Sequence, residues 1–506
     1  MFDIQSIFQW IKNHFSKKDI ILIAILAFFY FLIRLINLEQ LPIFNDEGIY
    51  IHWAKVAWHD ASWRFVSLTD GKQPLQTWGT IPFLKLFPDN ALLAGRLFSV
   101  ATGFFGLTGF FSLLFYIFNK KTALIGSLIY IITPYFLFYD RMAMVDSGVN
   151  AFFIWILFFS ILLVKTIRLD VALLFGLVAG MGLLAKSSVR LFVGLSLLAP
   201  ILINDSFIKF KKQKIKLLSF FTLFAIVGFL AIAIYNIQRL SPFLHFVEEK
   251  NKTFVMTFGE WRQNPFAVLF HNLRTIPYYV FSELGWIIVP FGILGLRKLF
   301  IKDKKLFFYL IAWILTPYIG ISLLTRVLFP RYIIFFGTLI VVFASYYLGT
   351  IKKQMLLIGS LLIILLGTLF FNYSILFDYS QIPFPPTDRG QYVESVTVGY
   401  GIKDIITYAR EKSKEKPVII LAEGDFGMTG DILDVFLRKE DQIFIKGYWP
   451  LGDKELLQHQ VDLQKNYVYI VTSHSLEYPK HWPVKFIKSY YKPNRSSVIY
   501  LLELTQ

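Results

Sequence analysis

Apolar runs long enough to cross a bilayer recur at about 19–38, 91–117, 122–139, 147–166, 170–186, 189–204, 217–236, 276–297, 306–324, 331–350 and 354–374. A crossing needs about 20 mostly apolar residues, so the pattern predicts about eleven transmembrane helices. Residues 39–90, between the first two runs, are amphipathic and carry Trp53, Trp58, Trp63 and Trp78. They read as one or two juxtamembrane helices lying along the surface, with tryptophans at headgroup level. Residues 1–18 place Ile4, Ile7, Phe8, Ile11 and Phe15 on one helical face, with Lys12, Lys17 and Lys18 on or beyond the polar side. That pattern predicts an interfacial amphipathic helix. The pattern changes after the stiff linker Gln381-Ile382-Pro383-Phe384-Pro385-Pro386. A helix over 401–413 and strand-like runs at 418–421, 443–445, 467–471, 485–490 and 497–502 predict a small α/β domain. The expected organisation is an interfacial helix (1–18), a transmembrane domain (19–376) and a C-terminal α/β domain (377–506).

Composition agrees with a mainly α, polytopic membrane protein. The 506 residues are 56% hydrophobic and 17% charged, against about 25% charged in soluble domains. A net charge of +17 would ordinarily raise nucleic acid as a partner. Its distribution says otherwise. With a cytoplasmic N-terminus, the inside loops hold Lys120 and Lys121, Lys165 and Arg168, the lysines of 209–216, Arg297 to Lys305, and Lys352 with Lys353. The short outside connections hold only Arg141, Lys186, Arg190, Arg326 and Arg331. This is the positive-inside rule, so the expected location is a cell (plasma or inner) membrane, with membrane lipids and no nucleic acid as partners. Segments 39–90, 237–275 and everything after about 375 then lie extracytoplasmically. The first run is too long for a cleaved signal and no small-residue cleavage site follows it. There is no cysteine, which excludes disulfides, thiol catalysis and cysteine-ligated metals.

The five outside cations run against topology and need partners. They share a face with the acidic pair Asp46-Glu47, with Asp70-Gly71-Lys72-Gln73-Pro74, and with Tyr139-Asp140-Arg141 to Asp146. Lys186 with Arg190, and Arg326 with Arg331 and Tyr332, complete the set. Cations in this number suit a polyanionic lipid headgroup, arginine binding phosphate bidentately. A neighbouring carboxylate is left to act as general base.

The order of an acidic pair in the first outer loop, Lys72-Gln73-Pro74-Leu75 with Trp78, then Arg96-Leu97-Phe98-Ser99, resembles the GT-C superfamily of membrane glycosyltransferases. The similarity is to the family 39 (protein O-mannosyltransferase-like) type and to bacterial lipid A aminoarabinose transferases. Arg141 with Asp146, Gly180-Met181-Gly182-Leu183-Leu184-Ala185-Lys186, and Phe329-Pro330-Arg331-Tyr332 extend the resemblance over about 20–350. Gln73 stands where relatives usually show a second proline and Ala185 where a threonine is common, and neither departure removes a charged group. The resemblance implies a polyprenyl-phosphate-linked sugar donor, and transfer with inversion to a hydroxyl of a protein, lipid or glycan acceptor. Asp46 would be the general base and Glu47 would orient the acceptor or a metal. Lys72, Arg331 and Arg326 would bind the donor phosphate.

Local alternatives stand beside these roles. Glu47 or Asp146 could simply cap a helix. Arg141 could pair with Asp140 or Asp146, and Lys186 could snorkel to the interface. His52, His59, His245 or His271 beside a carboxylate could hold a divalent metal, although no two histidines are spaced i, i+4. A transporter or flippase of a lipid-linked or charged sugar is the competing function. It would place charges or Gly/Pro breaks at mid-membrane in repeated halves, and no halves repeat.

Overall fold

A computed structural model describes residues 12–203 and 210–506. Ile4, Ile7, Phe8 and Ile11 of the expected interfacial helix, and Lys209, lie outside the described residues. Six described helices are long and apolar enough to cross a membrane: Ala91–Ile117, Asp146–Thr166, Lys214–Leu240, Lys304–Leu324, Pro330–Gly349 and Gln354–Phe377. Counting the bent pair Leu269–Glu283 and Ile288–Lys302 as one span makes seven. The chain is a multi-pass, mainly helical membrane protein.

The remaining expected crossings take other forms, each for a local reason. The run at 122–139 is split, because Pro134 has no N–H to continue the ladder and Thr133 before it is extended. The run at 276–297 is not straight. Its two halves meet at 111°, where Gly285 and Trp286 adopt positive φ of 75° and 62° and end the first helix. Leu169–Ala185 and Val189–Leu202 are shorter apolar helices. Lys17–Leu35 is a 19-residue helix with Lys17, Lys18, Asp19 and Arg34 at its ends.

Packing within the bundle follows small residues. Gly103, Gly106 and Gly109 line one face of Ala91–Ile117, where a Cβ would meet Tyr30 and Asp140, Tyr130 and Ala151, and Trp155. Without much hydrophobic drive between helices in lipid, such close approach supplies the contact energy. One apolar core then runs from Tyr30 through Tyr135, Phe153 and Trp313 to Phe384 and Tyr392. The proline-rich stretch expected as a linker is part of it: Ile382 and Phe384 are buried, Phe384 against Phe138 and Phe371.

The expected C-terminal strands all form: β1 (Val418–Glu423), β2 (Ile443–Tyr448), β3 (Tyr467–Thr472), β4 (Val484–Tyr491) and β5 (Val498–Leu504). Their order is β2-β1-β3-β5-β4. β1 runs parallel to β2 and β3, and β5 is antiparallel to β3 and β4. Strand alternation divides β1 between two cores. Ile419 and Leu421 join Leu456 and Trp482 on one face. Val418, Ile420 and Ala422 join Ile43, Ile51, Ala54, Leu84 and Ala91 on the other. The sheet is thus fused to the juxtamembrane helices Asn45–His59 and Leu75–Leu86.

Candidate active site

The helix Asn45–His59 begins where Phe44 is extended and the Glu47 carboxylate accepts the Phe44 N–H at 3.0 Å. Asn45 is tied to the C-terminal segment, its N–H donating to the Thr397 carbonyl at 2.9 Å. This fixes the first helical turn and aims Asp46 into a cleft. Lys72 Nζ lies 3.3 Å from Asp46 Oδ1, and Arg331 Nη2 donates to Oδ2 at 3.0 Å. Partners 26 and 285 residues away in sequence thus converge on one carboxylate. Its side chain keeps 24% exposure, so it is partly open to solvent.

Each cation is itself positioned. Lys72 follows Gly71, whose φ of 66° turns the chain, and its ammonium also contacts Asp70 at 3.3 Å. It lies 5.3 Å from the Tyr50 ring centre and 5.4 Å from that of Trp53, within cation–π range. Lys250 holds the other Asp70 oxygen at 2.6 Å. Arg331 leaves the turn Pro330–Ile333 and is ringed by Phe44, Phe329 and Tyr332. Its Nη1 donates to Tyr392 Oη at 3.1 Å and to Gln391 Oε1 at 3.2 Å.

The electrostatics follow. Burial alone would raise the Asp46 carboxyl, but Lys72 and Arg331 outweigh it and hold the pKa at about 2. Burial opposes the charge on Lys72, yet Asp46 and Asp70 raise its pKa above the ordinary value. The Tyr50 hydroxyl is pushed up by burial and then by Asp46 and Asp146, so it stays protonated.

Other expected site residues divide between this cleft and the framework. Lys186 Nζ pairs with Asp146 Oδ1 at 2.9 Å and sits 4.0 Å from the Tyr332 ring centre. Lys186, Asp146 and Tyr332 thus form a wall beside Arg331, and Lys186 is paired rather than snorkelling. Glu47, expected to orient an acceptor or a metal, faces the protein interior instead of the cleft. It is fully buried. Arg96 Nε and the Ala143 N–H donate to its Oε1 at 2.9 and 2.7 Å, and Arg96 Nη2 and the Phe44 N–H to its Oε2 at 2.9 and 3.0 Å. A carboxylate has about four acceptor sites, and all are taken. Arg326 is drawn away from the cleft into an ion pair with Glu260, while its backbone N–H donates to Phe254. Arg141 pairs with neither Asp140 nor Asp146. Its guanidinium donates to the carbonyls of Ile33, Arg34, Ile36 and Asn37 at 2.8–3.1 Å, closing the C-terminal end of Lys17–Leu35. Asp140 pairs with Arg34 instead, at 3.2 Å.

The histidines do not converge on Asp46. His52 Nδ1 bonds Asp434 at 2.9 Å, His245 bonds the Pro242 carbonyl and His271 bonds Thr275. Among the described residues no three His, Asp or Glu side chains form a metal-holding group. A divalent ion does not fit the cleft, because both Asp46 oxygens already face cations. Sequence reasoning missed Gln391, Tyr392 and Lys250, and named Asp70 without giving it a role. The first two lie just past the proline stretch, where nothing in the pattern points back to the first loop. Asp70 was visible beside Lys72, as a second carboxylate two residues from a cation.

The helix bundle with its small C-terminal sheet shares its fold with the GT-C glycosyltransferases ArnT and the archaeal oligosaccharyltransferase. Residues 72–232 match the family described as dolichyl-phosphate-mannose-protein mannosyltransferase. ArnT from Cupriavidus metallidurans bound to undecaprenyl phosphate is similar with a TM-score of 0.60 and 13% identity, over 95% of this chain and 97% of that one. The apo state of the same protein is similar with a TM-score of 0.54 and 14% identity over the same shares. The Archaeoglobus fulgidus oligosaccharyltransferase in complex with Zn and sulfate is similar at 0.52 and 12%, over 89% of this chain and 68% of that one. No curated protein matches the sequence.

Proposed function

We propose that the chain is an inverting glycosyltransferase that moves a sugar from a polyprenyl-phosphate-linked donor to an acceptor hydroxyl on the extracytoplasmic face. The observation that carries this reading is the solvent-reached carboxylate of Asp46 held between Lys72 and Arg331. Undecaprenyl phosphate bound to ArnT, and the mannosyltransferase match over 72–232, support the donor class. The positive-inside distribution supports a cytoplasmic N-terminus, with the cleft and the α/β domain on the opposite face.

In the reaction, Asp46 takes the proton of the acceptor hydroxyl as its oxygen bonds to the anomeric carbon. The bond from that carbon to the phosphate oxygen breaks, and the electron pair leaves on the polyprenyl phosphate. Lys72 and Arg331 stabilise the developing charge. With both cations engaged, Asp46 is a weak base. A donor phosphate would share those cations and restore its basicity, so the donor prepares the base for the acceptor. Tyr332, Lys186 and Asp146 form the wall behind Arg331.

The test is Asp46→Asn in the purified full chain. Turnover falls by about 10²–10⁴-fold, the usual worth of a general base, while donor binding is kept. Turnover close to wild type would overturn the assignment. Transport of donor across vesicles by the variant, without transfer, would favour the flippase instead.

A further inference from the structure

A second acidic pair lies inside the protein and takes no part in the reaction proposed above. Glu283 ends the helix Leu269–Glu283 at the 111° bend, and Asp388 lies in the turn Pro386–Arg389. Both are fully buried, and their carboxyls are within hydrogen-bonding reach of each other. The Tyr139 hydroxyl donates to Asp388 Oδ2. Both Glu283 oxygens and Asp388 Oδ1 meet no donor among the described residues. Two ionised carboxylates in contact, away from water, repel each other and lack compensation. One proton removes the repulsion and supplies the missing donor, because a carboxylic acid donates a short O–H···O bond to a carboxylate.

The pair also stands behind the cleft. The Tyr139 ring meets the Tyr392 ring edge-on at 6.2 Å, and Tyr392 accepts from the Arg331 guanidinium that holds Asp46. Charged and titratable groups facing the pair are Arg331, Asp146, Tyr135, Tyr139 and Tyr392. Burial is the main cause that pushes the Asp388 carboxyl up to about 6.

We propose that Glu283 and Asp388 share one proton, and that the singly charged pair positions Arg331, through Tyr139 and Tyr392, to receive the donor phosphate. The second half of this statement rests on the glycosyl-transfer reading; the shared proton does not. Infrared absorption of the full chain near neutral pH tests the proton without any substrate. Glu283→Gln, whose amide donates to Asp388 in place of the acid, removes a protonated-carboxyl C=O band. An unchanged spectrum overturns the proposal. In the transfer assay, Glu283→Gln keeps the donor KM within about twofold, whereas Glu283→Ala raises it about tenfold by leaving Asp388 without a donor, with kcat less affected. An unchanged donor KM in Glu283→Ala, or equal damage in both variants, overturns the positioning role. Should Glu283→Ala fail to fold, the infrared reading of Glu283→Gln still decides the shared proton, and Tyr139→Phe, which removes the hydroxyl that donates to Asp388, should raise the donor KM; an unchanged KM there overturns the positioning role.

Discussion

Asp46 and Glu47 are neighbours on one helical turn, yet they belong to two different regions. Glu47 points inward, is sealed by Arg96 and two backbone N–H groups, and has no acceptor capacity left. Asp46 points outward, has one cation at each oxygen, and remains open to solvent. Both are carboxylate–arginine pairs, and burial with hydrogen-bond saturation separates their roles. The sealed pair aims the helix start, and the open pair keeps bonds that a ligand can exchange.

The largest effects would come from separating the two. Glu47→Ala leaves Arg96 buried without its counter-ion, which costs about 3–5 kcal/mol of stability. Thermal unfolding in detergent should show a large drop, or no folded protein, while Asp46→Asn, at a partly exposed site, lowers melting less and loses turnover. Equal loss of stability in both variants would erase the distinction. Next, Arg331→Ala should raise the donor KM about 10–100-fold, the worth of a charged hydrogen bond. Arg331→Lys should recover only part of this, since an ammonium lacks the planar fork. Steady-state kinetics with varied donor checks both, and full recovery by lysine would mean that a point charge suffices.

The smallest expected effect concerns His52, on the same helix. It bonds Asp434 at 2.9 Å and approaches Asp431 at 3.7 Å, linking the helix to the α/β domain. Burial opposes its charge, but the bond to Asp434 and the charges of Asp434 and Asp431 raise its pKa. A raised folded pKa gives stability that is fully present below the unfolded value and is lost as pH rises through the folded one. The melting difference between wild type and His52→Gln should therefore be widest in mildly acidic buffer and shrink in alkaline buffer. A difference that does not vary with pH would reduce His52 to a packing residue.

Much of this was legible in the sequence, for identifiable reasons. Apolar runs and period-two alternation report burial directly, so the strands at 418–421, 443–445 and 467–471 fell where expected. Asp46, Lys72 and Arg331 stood out because charge at a membrane surface needs a partner. Burial of an individual charge was not legible. Nothing local distinguishes the sealed Glu47 from the open Asp46, or shows that Arg141 would close a helix end 105 residues earlier. Straightness was also hidden. The run at 276–297 is apolar enough to cross in one piece, and only backbone conformation at Gly285 and Trp286 bends it. Gln391 and Tyr392 escaped because their partner, Arg331, lies 60 residues back across a whole helical hairpin.

The face of the sheet that carries Val418, Ile420 and Ala422 shares its interior with Ile43, Ile51 and Leu84. Cut free at residue 377, the C-terminal portion would present that greasy side to water and self-associate. The portion is therefore no interchangeable cassette: grafting it onto a related bundle would demand that Ile43, Ile51 and Leu84 travel with it. For the same reason, lifting the portion away from the helices would expose Ile43, Ile51 and Leu84 along with the sheet.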